Sequence, residues 1–202
     1  MSSTDLLDQS FYDRHAVTVA RDLLGRRLVR RLNGQRVSGY IIECEAYYGE
    51  EDLACHARAG RTPRTAVMYG QPGRAYVYFT YGMHWLLNCV TGAEGLAAAV
   101  LLRAIWPQEG LEQIAARRPG VARARWCDGP AKLCRALQID GQQNGASLLS
   151  AGGELWIEHG LPLPDEWVQT SPRIGIQSTP EPWRSIPWRF VATPPPNFWP
   201  AA

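Results

Sequence analysis

The stretch 28–48, Leu28-Val-Arg-Arg-Leu32-Asn33-Gly34-Gln-Arg-Val37-Ser-Gly-Tyr40-Ile41-Ile42-Glu43-Cys44-Glu45-Ala46-Tyr47-Tyr48, decides the fold. Asn-Gly between two β-prone runs is a strong hairpin signal, because both residues tolerate the positive φ that a two-residue turn demands. It predicts a strand over 28–32 and a return strand over 37–48. Working outward, 13–24 predicts a helix: Ala16, Val19, Ala20, Leu23 and Leu24 share one side, Asp13 is placed to cap it, and Gly25 follows its end. A Gly-, Pro- and Arg-rich loop is expected over 49–73. Strands follow over 75–81 and 85–90, with Gly82 at the turn, and over 100–106. A helix is expected over 109–117, and Gly129-Pro130 opens another to Leu137, with Pro at its favoured first position. Strands are expected over 154–158, 173–176 and 188–191, with irregular ends over 1–10 and 193–202. No repeat or linker divides the chain. The expectation is one mixed α/β (α+β) domain over 1–202, built on local antiparallel connections.

The chain has 202 residues, a net charge of +2 and 46% hydrophobic residues, enough for a globular core. Its longest apolar run, Leu96–Leu102, is far short of the ~20 residues a membrane helix needs. The acidic first fifteen residues do not read as an export signal. The five cysteines are odd in number and contain no C-x-x-C pair, which suggests packed thiols in a cytoplasmic protein. Local charge says more than the total. Five acids and no bases lie between Glu43 and Asp52, and no acid lies between Leu53 and Ala93, where arginines stand at 58, 61, 64 and 74. Between Gln113 and Arg135 six bases face Asp128 alone. An ordinary solvated surface explains charge runs in general. A basic face for phosphates, with carboxylates held apart for chemistry, is the sharper alternative.

On the strand 41–47, Glu43, Glu45 and Tyr47 share one face, and Ile42, Cys44 and Ala46 share the other. Carboxylates on an otherwise apolar strand are costly unless paired or wet. Either they meet the arginines of 26–36 across the hairpin, or one of them is a base that orients and deprotonates a water. The run 74–85 carries six aromatic side chains, counting His84. Tyr76 reads as core. Tyr81, beside Gly82 at a hairpin tip, is a large exposed ring that needs a partner, and beside the acid-free Arg segment the economical one is a nucleic acid into which the ring can wedge.

Glu43-Cys-Glu45-Ala-Tyr47-x-Gly49-x-Glu51-Asp52-x-Ala-x-His56, Arg61-Thr-Pro-Arg64, Pro72-Gly-x-x-Tyr76-Val-Tyr78-x-x-Tyr81-Gly-Met83, Leu101-Leu-Arg103-Ala and Gly129-Pro-x-Lys132-Leu-Cys-x-Ala-Leu137 stand in order along the chain. Together they resemble the alkyladenine (3-methyladenine) DNA glycosylase family, from about Ala16 to Val191. The resemblance implies a curved antiparallel sheet flanked by helices, with a protruding β-hairpin that enters the DNA minor groove. It implies a partner, double-stranded DNA containing damaged purines, and neither metal nor cofactor. Glu45 would activate the water, held by Arg103 and the carbonyl of Ile174. Tyr47 would stack on one face of the everted base, with His56 and Tyr78 on the other. The His56 N–H would contact the base edge, and Asn88 would clash with the 2-amino group of normal guanine. Tyr81 would fill the gap in the duplex, and Met83 and His84 would lie in the minor groove. Thr62, Arg64 and Lys132 would touch phosphates. His84 stands where the family commonly has Tyr.

The implied reaction is hydrolysis of the N-glycosidic bond of 3-methyladenine or 7-methylguanine, with hypoxanthine and ethenoadenine as further candidates, by a monomeric enzyme. Lys132 is the only lysine and starts a helix, a place suited to phosphate. No other side-chain amine exists to form a Schiff base, so release without strand cleavage is expected. The rival classes are a non-catalytic nucleic-acid-binding module and a metal site gathered from Cys44, Cys55, His56 and Cys89. A bare carboxylate on the binding face speaks against the first. The spacing speaks against the second.

Overall fold

The Asn33-Gly34 turn forms as expected, with φ of 50° and 80°, and pairs Leu32 with Gln35. It joins β1 (Arg27–Leu32) to β2 (Gln35–Tyr48). The computed structural model describes residues 6–200, so residues 1–5 and 201–202 of the expected irregular ends lie outside the described residues. With β3 (Ala75–Thr80), β4 (His84–Val90), β5 (Ala98–Glu109) and β6 (Leu155–Glu158), the sheet order is β3-β4-β5-β2-β1-β6. Two further strands, β7 (Val168–Ser171) and β8 (Arg189–Ala192), pair with each other, and β8 pairs with β2. Every pairing is antiparallel.

Strand β2 is the spine. Strand β5 follows one edge of it, while β1 takes the first half of the other edge and β8 meets Glu43–Glu45. Ile41 opposes Ile105, Glu43 opposes Ala104 and Cys44 opposes Leu102. Ile42 and Arg103 are therefore the unmatched residues of two adjacent bulges, a device that bends a strand and re-aims a side chain. The first bulge corrects the expected alternation: Ile41, not Ile42, joins Cys44 and Ala46 in the core.

Four α-helices accompany the sheet. The expected 13–24 helix is α2 (Ala16–Leu23), which starts three residues later because the His15 ring rather than Asp13 caps it; before it stands α1 (Gln9–Tyr12), capped by Asp8, an unexpected single turn that begins inside the expected irregular start. Helices α3 (Leu111–Arg117) and α4 (Pro130–Leu137) stand where expected. Leu23, Leu28, Ile41, Leu87, Leu102 and Leu133 make the main core with α2 and α4. Each such side chain contributes about 1.5–3 kcal/mol on burial. A second cluster of Cys55, Met68, Tyr76 and Ala99 lies under the 49–73 segment, which carries two 3₁₀ turns, His56–Ala59 and Ala66–Tyr69.

Other expectations are corrected as well. Residues 173–176 form a turn with Gly175 at φ 82°, not a strand, despite the alternation of Ile174 and Ile176. The 193–200 end is irregular as expected, yet it packs on the domain: Trp199 stacks on Tyr40 with centroids 5.5 Å apart, and Phe198 packs edge-on against Trp167 at 5.0 Å. Leu7, inside the expected irregular start, is buried.

Candidate active site

A cleft of about 280 Å³ opens where β3–β5, the 54–56 segment and the 174–176 turn converge. Tyr47, His56, Tyr76, Tyr78, Tyr81, Asn88, Arg103 and Ile174 are in its wall. A larger groove, about 870 Å³, lies beneath the 192–200 strap, but among the described residues its lining is mainly proline, isoleucine, alanine and tryptophan. Convergent polar groups and aromatic walls therefore mark the smaller cleft as the site.

Glu45 sits behind this cleft rather than in its lining, and is completely buried. Its Oε1 accepts the Ile174 N–H at 2.7 Å, and its Oε2 accepts the Tyr47 hydroxyl at 3.0 Å. Arg103 Nη1 lies 3.2 Å from Oε2. Burial raises the Glu45 pKa above the usual carboxylate value, opposed by Arg103, by the Ile174 N–H and by the Tyr47 hydroxyl. Burial likewise pushes the Tyr47 phenol well up, so that it stays a donor. The 173–176 segment thus reaches Glu45 through an amide N–H, a contact the resemblance did not name.

Glu43 shares the face of Glu45 as expected, but its partners are not the arginines of 26–36. Its Oε1 accepts from Arg103 Nε at 2.6 Å and from Arg189 Nε at 2.7 Å. Arg36, across the hairpin, pairs instead with Glu109 and Glu158.

The walls are aromatic on both sides. The Arg173 guanidinium lies 4.7 Å from the centroid of the Tyr47 ring. Arg173 is itself buried and makes a forked pair with Asp52 at 2.5 and 2.9 Å. It also donates to the Ala46 carbonyl, tying the 173–176 turn to the strand that bears Glu45. Opposite, the His56 ring meets Tyr78 edge-on at 4.4 Å, and its Nδ1 bonds the Tyr76 hydroxyl at 3.0 Å. Burial, with Arg64 and Arg58 nearby, lowers the His56 pKa to about 4, so the ring is neutral at pH 7. Asn88 is held by a bond from its Nδ2 to the Tyr76 carbonyl at 3.0 Å.

At the cleft mouth, Tyr81 is 83% exposed with φ 51°, followed by Gly82 at φ 67°. A bulky residue in the left-handed region is a genuine outlier, worth about 1–3 kcal/mol of strain. Met83 and His84 are exposed beside it. The guanidinium of Arg64 lies over the Tyr78 ring at 5.2 Å. The Thr62 hydroxyl is engaged with that of Thr65 at 3.0 Å. Lys132, in the first turn of α4, is paired to Asp128 at 2.8 Å, and Pro130 of the same turn lines the cleft.

Sequence reasoning missed Asp52–Arg173 as a pair and Arg189 as a partner of Glu43. No spacing rule connects residues 121 apart. The five cysteines are free and buried; Cys44 and Cys89 belong to the main core, and Cys55 to the second cluster. Among the described residues no three His, Cys, Asp or Glu side chains gather as a metal site, and no helix is long and apolar enough to cross a membrane.

Residues 10–196 match the family model described as methylpurine-DNA glycosylase (MPG). A provisionally named 3-methyladenine DNA glycosylase of Carboxydothermus hydrogenoformans is 46% identical over 185 residues, 92% of this chain and 94% of that protein. A protein of the same provisional name from Methanocella arvoryzae is 47% identical over 186 residues, 92% of this chain and 91% of its own. Another from Myxococcus xanthus is 47% identical over 184 residues, 91% and 88%. With motifs, sheet and cleft in agreement along nearly its whole length, the chain belongs to the methylpurine-DNA glycosylase family.

Proposed function

We propose that this protein, acting as a monomer, everts damaged purines from duplex DNA into the aromatic cleft and hydrolyses their N-glycosidic bond, leaving an abasic site uncut. The observation that carries the reading is the juxtaposition at one cleft: a buried carboxylate behind its wall and a solvent-exposed Tyr81 ring at its mouth. A base inside a duplex is out of reach of any side chain, and eversion costs a few kcal/mol, least at a damaged pair. Tyr81 fills the vacated space and offsets part of that cost. Stacking on Tyr47 and Tyr78 returns about 1–3 kcal/mol per base.

Glu45 is the base in this reading. Burial raises its proton affinity, which makes its ionised form a better proton acceptor near neutral pH. Oε2 faces both the Tyr47 hydroxyl and Arg103, whereas Oε1 holds a single donor, the Ile174 N–H, and keeps a second lone pair for the attacking water. Water attacks C1′ as the purine departs, and Glu45 takes the proton while its charge faces the oxocarbenium-like sugar. Among the described residues no carboxyl group lines the cleft, and His56 is neutral. The site therefore suits cationic leaving groups such as 3-methyladenine and 7-methylguanine, which need no acid. It suits neutral hypoxanthine and ethenoadenine less. A neutral imidazole also spares the cationic purine a like charge.

The test is release of free base from an alkylated duplex in the presence of a chelator, by wild type and by Glu45→Gln. Glu45→Gln should lose about 10²–10⁴-fold of the release rate while still binding an abasic-site duplex. Full release by the variant, or binding without release by wild type, would overturn the assignment. Borohydride should trap no adduct at Lys132; a trapped adduct there would end the monofunctional reading.

A further inference from the structure

We propose that Glu43 and Arg189 are a positioning pair that locks Arg103 against Glu45 and sets the charge that Glu45 feels. The inference rests on the reading of Glu45 as the base. Arg103 is the unmatched residue of a bulge, so the sheet ladder alone does not orient its side chain. The anchor is Glu43, whose Oε1 takes the Arg103 Nε at 2.6 Å and leaves Nη1 directed to Glu45 at 3.2 Å. Glu43 itself does not line the cleft. It is held from the other side by Arg189 Nε at 2.7 Å, and Arg189 Nη1 is in turn fixed on Ser171 Oγ at 3.0 Å. Arg189 is the register partner of Glu45 across β2 and β8.

Charge follows from the same geometry. Two carboxylates and two guanidiniums share a site that is mostly closed to water: the four side chains are 14%, 0%, 11% and 24% exposed for Glu43, Glu45, Arg103 and Arg189. The other groups facing Glu45 are the phenols of Tyr47 on β2 and Tyr78 on β3 and the Ile174 amide of the 173–176 turn. The remaining nearby charge, Arg173 behind Tyr47, is neutralised by Asp52. The quartet is balanced, so removing either outer member leaves a net charge next to the base. Removing Glu43's charge leaves a net positive site, which favours ionised Glu45. Removing Arg189's charge leaves a net negative site, which favours protonated Glu45.

The experiment is the pH dependence of single-turnover base release at saturating enzyme, so that DNA binding drops out. Glu43→Gln keeps an acceptor for Arg103 and should move the acid limb down by about one pH unit; Arg189→Gln should move it up by a similar amount. The double variant should return it to near the wild-type position. Glu43→Ala, which removes the anchor, should lower the plateau rate at least ~10-fold through the freed Arg103. Acid limbs that stay put or move in the same direction in both single variants would overturn the proposal, provided Glu45→Gln is inactive. Retained activity of Glu45→Gln would instead overturn the reading beneath it.

Discussion

The sheet carries two hairpins whose tips adopt similar backbones for opposite reasons. Asn33-Gly34 joins β1 to β2 with φ of 50° and 80°, and Tyr81-Gly82 leads from β3 toward β4 with φ of 51° and 67°. The first tip uses Asn, which tolerates the left-handed region because its short side chain bonds locally. The second places a phenol ring there and adds an exposed Met83. Turn chemistry alone explains the first tip completely. It argues against the second, where strain and exposed apolar surface are both tolerated next to a cleft. The contrast teaches that local stability is spent where a ring must stand free of the protein.

That contrast can be broken by substitution at each tip. The largest effect is expected for Tyr81→Ala. Base release from an alkylated duplex should fall by about 1–3 kcal/mol, roughly 5- to 150-fold, if the ring fills the duplex as proposed. Release from a single strand, where no gap needs filling, should change little. Equal losses on both substrates would show that Tyr81 serves the cleft and not the duplex. At the other tip, Gly34→Ala meets no neighbouring atom, so only φ matters. Equilibrium urea unfolding should show a loss of about 1–2 kcal/mol with normal release by the folded enzyme. Tyr81→Asn should raise stability by about 0.5–1 kcal/mol while lowering duplex activity, making the second tip resemble the first. A loss of stability would mean that the ring is packed and not presented. Smallest is Met83→Ala. Its unfolding free energy should stay within about 0.5 kcal/mol of wild type, with slightly weaker binding to an abasic-site duplex by titration.

The same pair of hairpins shows what could be read in the sequence. Asn-Gly announced the first hairpin, alternating aromatics ending at Tyr81-Gly82 announced the second, and Gly129-Pro130 announced α4. These are local signals, decided within a few residues. The face shared by Glu43, Glu45 and Tyr47 was legible from period two, but the choice of Glu45 as base rested on the resemblance. The structure separates the two acids: Glu43 is claimed by two arginines, while Glu45 sits behind Tyr47, Arg103 and Ile174, which line the cleft. What was not legible depends on distant chain. Strand β7, Val-Gln-Thr-Ser, is short and largely exposed and lacks apolar alternation. Residues 173–176 have the alternation but are turned by Gly175 and pinned by Asp52 through Arg173. The apolar stripe of Ala16, Val19, Ala20 and Leu23 marks α2, but its start lies three residues beyond Asp13, the more usual capping residue, because here the His15 ring caps instead, and the four residues of α1 are too short to show a period.

Strand β2 has a consequence for how the molecule breathes. Position 45 is hydrogen-bonded within a ladder that has β5 on one edge and β8 on the other, while β1 grips the strand further back. Fraying at either terminus leaves one edge of it zipped, so amide hydrogens at 44–46 should exchange with deuterium only through near-global opening. Amides around 81–83 should exchange far sooner, so Glu45 rides on the slowest part of the protein and Tyr81 on one of the fastest.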